Sequence, residues 1–163
     1  VLTRDNSLVQ PLGSFRADKP DKTAPAISRE FREAQKQYDA EKNCVRNARE
    51  KKYAEAAAAA RKGIAEYPKA TLARICLANV YIDQRDAATT DAAKAAYNDS
   101  AATVAREILT VDPLSRRALT IQYDALKAKN DPGAIDVLLR LAAADPSNSR
   151  LLEQVINELA AGG

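Results

Sequence analysis

The sequence predicts an all-α fold, a stack of antiparallel helical hairpins, and three observations carry that expectation. Tyr53 to Pro68 reads as a helix of about four turns stopped by a proline. Two later stretches, Ala101 to Pro113 and Ala134 to Pro146, repeat its plan, so that Ala56, Ala101 and Ala134 each stand 12 residues before a proline. The apolar content is dominated by alanine, with Tyr 6, Phe 2 and no Trp. Such a composition suits helices that approach closely, not a core of large side chains. A supersecondary unit that recurs along a chain indicates stacked modules, an architecture used for binding more than for chemistry.

Taken in order, residues 1–26 read as an extended arm. Pro11, Pro20, Pro25 and Gly13 interrupt any period, while Leu8, Val9, Leu12 and Phe15 offer apolar anchors for docking. Residues 27–163 form the helical domain. Ser28 is placed to cap a first helix reaching about Arg49, with Phe31, Ala34, Tyr38 and Cys44-Val45 at helical spacing. A second helix runs from about Lys52 to Glu66, with Ala56, Ala60 and Ile64 on one face. Leu72, Ile75, Cys76, Ala78 and Ile82 set out a third helix from Thr71 to Ile82. A turn over Gln84 to Thr90 follows, and Thr90 or Asp91 caps a long helix to Thr110. Ser115 to Lys129 comes next, then the turn Asn130-Asp131-Pro132-Gly133, then a helix to Ala144. Ser147 or Ser149 caps a last helix from Arg150 to Ala161, before Gly162-Gly163. Its Glu153, Gln154, Asn157 and Glu158 are expected to be exposed, making it a solvating cap.

Charge is unevenly distributed. Residues 1–70 hold 15 Lys/Arg against 10 Asp/Glu, and residues 71–163 hold 10 against 12. Basic and acidic residues alternate, which favours a solvated surface over a nucleic-acid interface built on Arg46, Arg49, Lys51 and Lys52. No apolar run approaches the roughly 20 residues that span a bilayer. The chain starts at Val1 and contains no Met, which leads us to expect either a removed leader or a fragment, and a periplasmic or secreted location before a cytoplasmic one. Cys44 and Cys76 could form a disulfide between first helices of neighbouring hairpins, or remain two buried thiols.

Chemistry finds little support. With no histidine, there is no side chain of ordinary pKa near neutrality to serve as a base, and no phosphate loop or nucleophile elbow is present. Asp83, Asp86, Asp91 and Asp99 crowd one region but lack the spacing of a calcium loop, so capping and solubility are the expected roles. No enzyme, no cofactor and no metal site are expected.

The helical stretches resemble tetratricopeptide repeats. Leu77-Ala78 and Tyr81 match that family's first-helix core, and Tyr53, Ala56, Ile64 and Pro68 its second helix. Ala101, Leu109 and Pro113 match the next second helix, and Ala134, Leu138 and Pro146 the third. The likeness covers about residues 35–163. It lacks the tryptophan, places Ala60 and Ala105 where the family has a large aromatic, and keeps Gly63 inside a helix. The middle repeat, Pro68 to Pro113, is about 11 residues longer than the 34-residue unit, close to three helical turns.

This resemblance implies a right-handed superhelix of about three hairpins plus a closing helix, with the first helices lining a groove for a peptide or a partner's helix. Carried over residue by residue, the groove positions are Tyr38, Glu41, Val45 and Arg49, then Leu72, Ile75, Asn79 and Ile82, then Arg116, Leu119, Tyr123, Leu126 and Lys127. Glu41 and Val45 occupy the places of a Lys-Asn carboxylate clamp and argue against that clamp. The expected function is a non-enzymatic scaffold that binds another protein through the groove or the amino-terminal arm. The alternative is a structural subunit of a larger assembly, held by the arm and the lateral surfaces.

Overall fold

The structure, a computed structural model, describes residues 41–161 together with Arg32, Gln35, Lys36, Tyr38 and Asp39. The expected arm, the Ser28 cap and the Gly162-Gly163 stop lie outside the described residues. Among the described residues the chain is all-helical, in seven helices and without strands. Helix α1 covers 41–49, and the five isolated residues before it are helical as well. The others are α2 Tyr53–Glu66, α3 Thr71–Ala87, α4 Asp91–Val111, α5 Arg116–Lys127, α6 Ala134–Ala144 and α7 Ser149–Ala161.

The three prolines make one joint three times. Each lies two residues past a helix end, and the residue before it is held out of the helical region, as the proline ring demands. Tyr67 (φ −133°, ψ 79°), Asp112 (−131°, 89°) and Asp145 (−144°, 67°) are nearly superimposable in backbone angles. From each, a carbonyl accepts the amide three residues on: Ala70 N to Tyr67 O at 2.9 Å, Ser115 N to Asp112 O at 3.1 Å, and Asn148 N to Asp145 O at 3.1 Å. The next helix then begins. The other connections differ from one another. Lys51, with φ 58°, turns the chain out of α1, and Asn130, with φ 53°, turns it out of α5. Asparagine tolerates that left-handed conformation better than lysine does. Beyond Asn130, the Asp131 carboxylate accepts the Gly133 amide at 2.9 Å and fixes the expected turn.

Neighbouring helices run antiparallel. Arg74 meets Glu107 and Arg85 meets Asn98 between α3 and α4, so the start of one helix lies beside the end of the other. Asn98 with the Ala125 carbonyl sets the same sense for α4 and α5, and Arg116 with Asp145 for α5 and α6. Alternate helices are tied side by side at similar sequence offsets. A Cys44–Cys76 disulfide, 32 residues apart, joins α1 to α3. Arg117 and Asn79, 38 apart, join α5 to α3, and Tyr123 and Glu158, 35 apart, join α5 to α7. The open alternative at the cysteines is thus resolved as a bond, with Cys44 wholly buried.

Small residues sit where the helices press together. Ala56, Ala101 and Ala134 are all buried, as close helix crossings require. Two apolar clusters result, one over α1–α4 and the start of α5, the other over α5–α7, and Leu109 packs against both. Ile108, Leu138 and Val80 are among the largest fully buried side chains, and burying such a group contributes about 1.5–3 kcal/mol.

Two boundaries depart from expectation. Helix α3 continues to Ala87 instead of stopping at Ile82, because residues 83–87 contain neither Gly nor Pro. The long middle hairpin is therefore extended at the end of α3 and the start of α4, where the Thr90 hydroxyl caps Ala93 N at 3.3 Å. At α7 the capping group is neither Ser147 nor Ser149. The Asn148 side chain accepts Leu151 N at 3.2 Å, while Ser147 Oγ donates to Asp145 at 3.4 Å.

Candidate functional site

The accessible side of α3 is a mixed surface. Leu72, Ile75, Asn79 and Ile82 are half-buried along it, and Asp83 and Asp86 are exposed at its end. These residues fall on one arc at the helical period of 3.6, so a single face of α3 presents them together. Beside it, the accessible face of α5 carries Arg116, Arg117, Thr120, Asp124 and Lys127. The disulfide to α1 and the Arg117–Asn79 contact hold these helices in one layer.

Arg117 is the connecting group of this surface. Its Nε donates to Asn79 Oδ1 at 3.1 Å, and Nη2 donates to the same oxygen. Its charge also acts on Asp83 and Asp124. The Asp83 carboxyl is pushed above the usual range, chiefly by burial and then by repulsion from Asp86, with Arg117 opposing both. Asp124 keeps contact with solvent, yet partial burial raises its carboxyl despite Arg85, Arg117 and Lys127. Arg117 was missed in the sequence, where Arg116 was chosen. The available signal was the seven-residue spacing of Arg117 and Asp124, which puts them on one side of α5.

The raised Asp124 carboxyl has a definite sign. A folded state that holds this proton more tightly than the unfolded chain loses stability as pH rises through and above the ordinary aspartate range. Asp124→Asn is therefore expected to raise the melting temperature at pH 7, with the gain vanishing near pH 4. Parallel thermal melts of the two proteins across pH check it, and a variant less stable than wild type at pH 7 refutes it.

Of the expected groove residues, Ile75, Asn79 and Ile82 share the α3 face, and Val45 is half-buried on α1. Tyr38 and Arg49 are exposed on the first helix. On α5 the expectation needs correcting. Leu119 is 0% exposed and packs into the second cluster with Leu138 and Leu141, because it projects towards α6, well around the helix from Arg117 and Asp124. Leu126 packs against the same cluster. Tyr123 is buried and its hydroxyl is fully used: it donates to Glu158 Oε1 at 3.0 Å and accepts from Gln154 Nε2 at 2.9 Å and Lys127 Nζ at 3.1 Å. Lys127 is further paired with Glu158, and Arg116 with Asp145 at 3.1 Å. These polar groups fasten α5 to its neighbours.

Elsewhere, Arg46 donates to Asn43, and Lys52 pairs with Glu50 at 2.7 Å, which neutralises one cation of the basic run near α1. Asp86 pairs with Arg85 and Asp99 with Lys129. Among the described residues no three His, Cys, Asp or Glu side chains converge as metal ligands, and no helix is long and apolar enough to cross a membrane. A cleft of about 570 Å³ opens between α2, α3 and α4, walled by Arg61, Ile64, Tyr81, Thr103 and Glu107, with Arg61 donating to the Tyr81 hydroxyl at 2.8 Å. No family model matches this chain, and no curated protein does either.

Proposed function

We propose that this chain is a non-enzymatic scaffold of tetratricopeptide-like hairpins, wound as a right-handed superhelix, that binds an extended protein segment along the accessible face of α3 and α5. The observation that carries the reading is the composition of that face. Half-buried Leu72, Ile75 and Ile82 form an apolar floor, over which Asn79 and Arg117 hold each other in place and Asp83 and Asp124 add negative charge within the field of Arg117. An extended peptide needs both: apolar contact for affinity, and fixed polar groups for direction and register. With the Asn79 oxygen committed to Arg117, its Nδ2 can donate to a peptide carbonyl. Arg117 and the two carboxylates offer both signs of charge to the segment's side chains. The repeated proline joints and the buried alanines support the tetratricopeptide-like reading. The disulfide supports an exported location, since such bonds persist in oxidising compartments.

The test is selection of linear peptides on the intact oxidised chain from a displayed library, followed by solution titration. Selected peptides are expected to bind wild type with micromolar dissociation constants and to lose at least about tenfold in affinity to Ile82→Glu. Asp136→Lys, on the exposed side of α6, should leave affinity unchanged. Absence of enrichment, or equal binding by Ile82→Glu, would remove this face from consideration.

A further inference from the structure

The cleft between α2, α3 and α4 has a chemical character of its own. Its two walls, α2 and α4, each pack on α3 more than on each other. The side chains they turn to the gap include the short Ala65, Ser100 and Thr103. The gap therefore stays open, with a volume of about 570 Å³, a size that suits a small organic molecule. Its apolar lining comes from all three helices: Ile64 of α2, Leu77 of α3 and Val104 of α4.

Charge at the cleft is unbalanced in one direction. The two carboxylates that line it are already engaged, Asp99 with Lys129 at 2.6 Å and Glu107 with Arg74 at 3.4 Å. Arg61 is different. Its Nη2 donates to the Tyr81 hydroxyl at 2.8 Å, and among the described residues it pairs with no carboxylate. On α4, Arg106 likewise has no carboxylate partner among the described residues, and its Nη2 donates to Thr103 Oγ1 at 3.0 Å. Because the Tyr81 oxygen accepts from Arg61, its own O–H is left to donate. Arg61 and Tyr81 thus offer an anion a charge, further guanidinium N–H groups and a hydroxyl donor, beside apolar surface.

We infer that this cleft binds a small organic carboxylate with an apolar body, its carboxylate on Arg61 and Tyr81 and its hydrocarbon against Ile64, Leu77 and Val104. The guanidinium fork matches the two oxygens of a carboxylate. A phosphate fits less well, since its third oxygen and second charge would meet hydrocarbon without a donor. A cation would compete with Lys129 and Arg74 for Asp99 and Glu107. The α3 residues involved are Leu77 and Tyr81, not Leu72, Ile75 or Ile82. The inference therefore does not rest on the peptide-binding reading.

Titration of the full oxidised chain with octanoate at pH 7 and fixed ionic strength, followed by amide NMR shifts, tests the inference. The expected result is saturable shifts concentrated at residues 61–65, 77–81 and 100–107, with a dissociation constant on the order of millimolar. Arg61→Gln, at an exposed position, should weaken binding at least about tenfold while the helical circular dichroism spectrum is kept. Tyr81→Phe should weaken it about threefold. Octanol, the same tail without the charge, should bind at least about tenfold more weakly than octanoate, and Asp136→Lys should leave affinity unchanged. Shifts that do not saturate, or that centre elsewhere, overturn the inference. So does Arg61→Gln binding as tightly as wild type, or octanol binding as tightly as octanoate, which would reduce the cleft to apolar contact. Tighter binding of octylamine would give the cleft to cations through Asp99 and Glu107, and likewise overturns it.

Discussion

Reduction of the Cys44–Cys76 bridge is expected to lower the melting temperature by about 10 °C. The bond closes a loop of 32 residues between α1 and α3. In the chain-entropy account, a loop of this length restricts the unfolded state enough to stabilise the fold by roughly 3–4 kcal/mol. The location strengthens the case. Among the described residues α1 is the first continuous helix, and Cys44 is the largest fully buried side chain on it. Half-buried Val45 and Ala48 pack against the same cluster. A double Cys44→Ala/Cys76→Ala variant should behave like the reduced protein, with early loss of hydrogen-exchange protection in α1 and α2. Thermal melts with and without reductant, at fixed pH, decide the matter. A shift of less than about 2 °C would mean that packing alone holds α1 in place.

The second large effect belongs to Leu119. Leu119→Ala is expected to cost about 3 kcal/mol, within the range for deleting a fully buried leucine where neighbours close the cavity only in part. Its cluster partners, Leu138 and Leu141 on α6 and Leu151 on α7, belong to two other helices, so one truncation on α5 loosens the whole second cluster. Denaturant titration measures it, with the slope unchanged and the midpoint lowered. Affinity for any groove peptide should be nearly unaltered, which separates Leu119 from Ile82. A loss below about 1 kcal/mol would show that the site collapses freely.

The regular features of the fold were legible because they depend on local rules. A proline two residues past a helix end acts through its own ring and its neighbour's backbone, and the same joint appears at Tyr67, Asp112 and Asp145. Thr90 is a cap by virtue of its own hydroxyl. Side chains whose roles depend on several elements at once were harder to place. Leu119 and Ile75 look alike in sequence, both aliphatic on a first helix, yet one faces α6 and the other the accessible side of α3. Adjacent arginines posed the same difficulty: Arg116 reaches Asp145 at the far end of α6, and Arg117 reaches Asn79 on α3. At α7, Gln154 and Glu158 look like surface residues until Tyr123 is brought beside them. The surplus length between Pro68 and Pro113 was visible as a count, but its division between α3 and α4 depended on where Thr90 starts the next helix.

The closely similar joints at Pro68, Pro113 and Pro146 have an evolutionary consequence. A segment cut from one such joint to the next enters and leaves with the same backbone direction, so gene duplication or deletion of that segment would lengthen or shorten the protein without redirecting what lies on either side. Variation in hairpin length is then confined to the opposite ends of the helices, where the connections already differ. Descendants of such a chain can change how many modules they carry while inheriting the same hinge geometry.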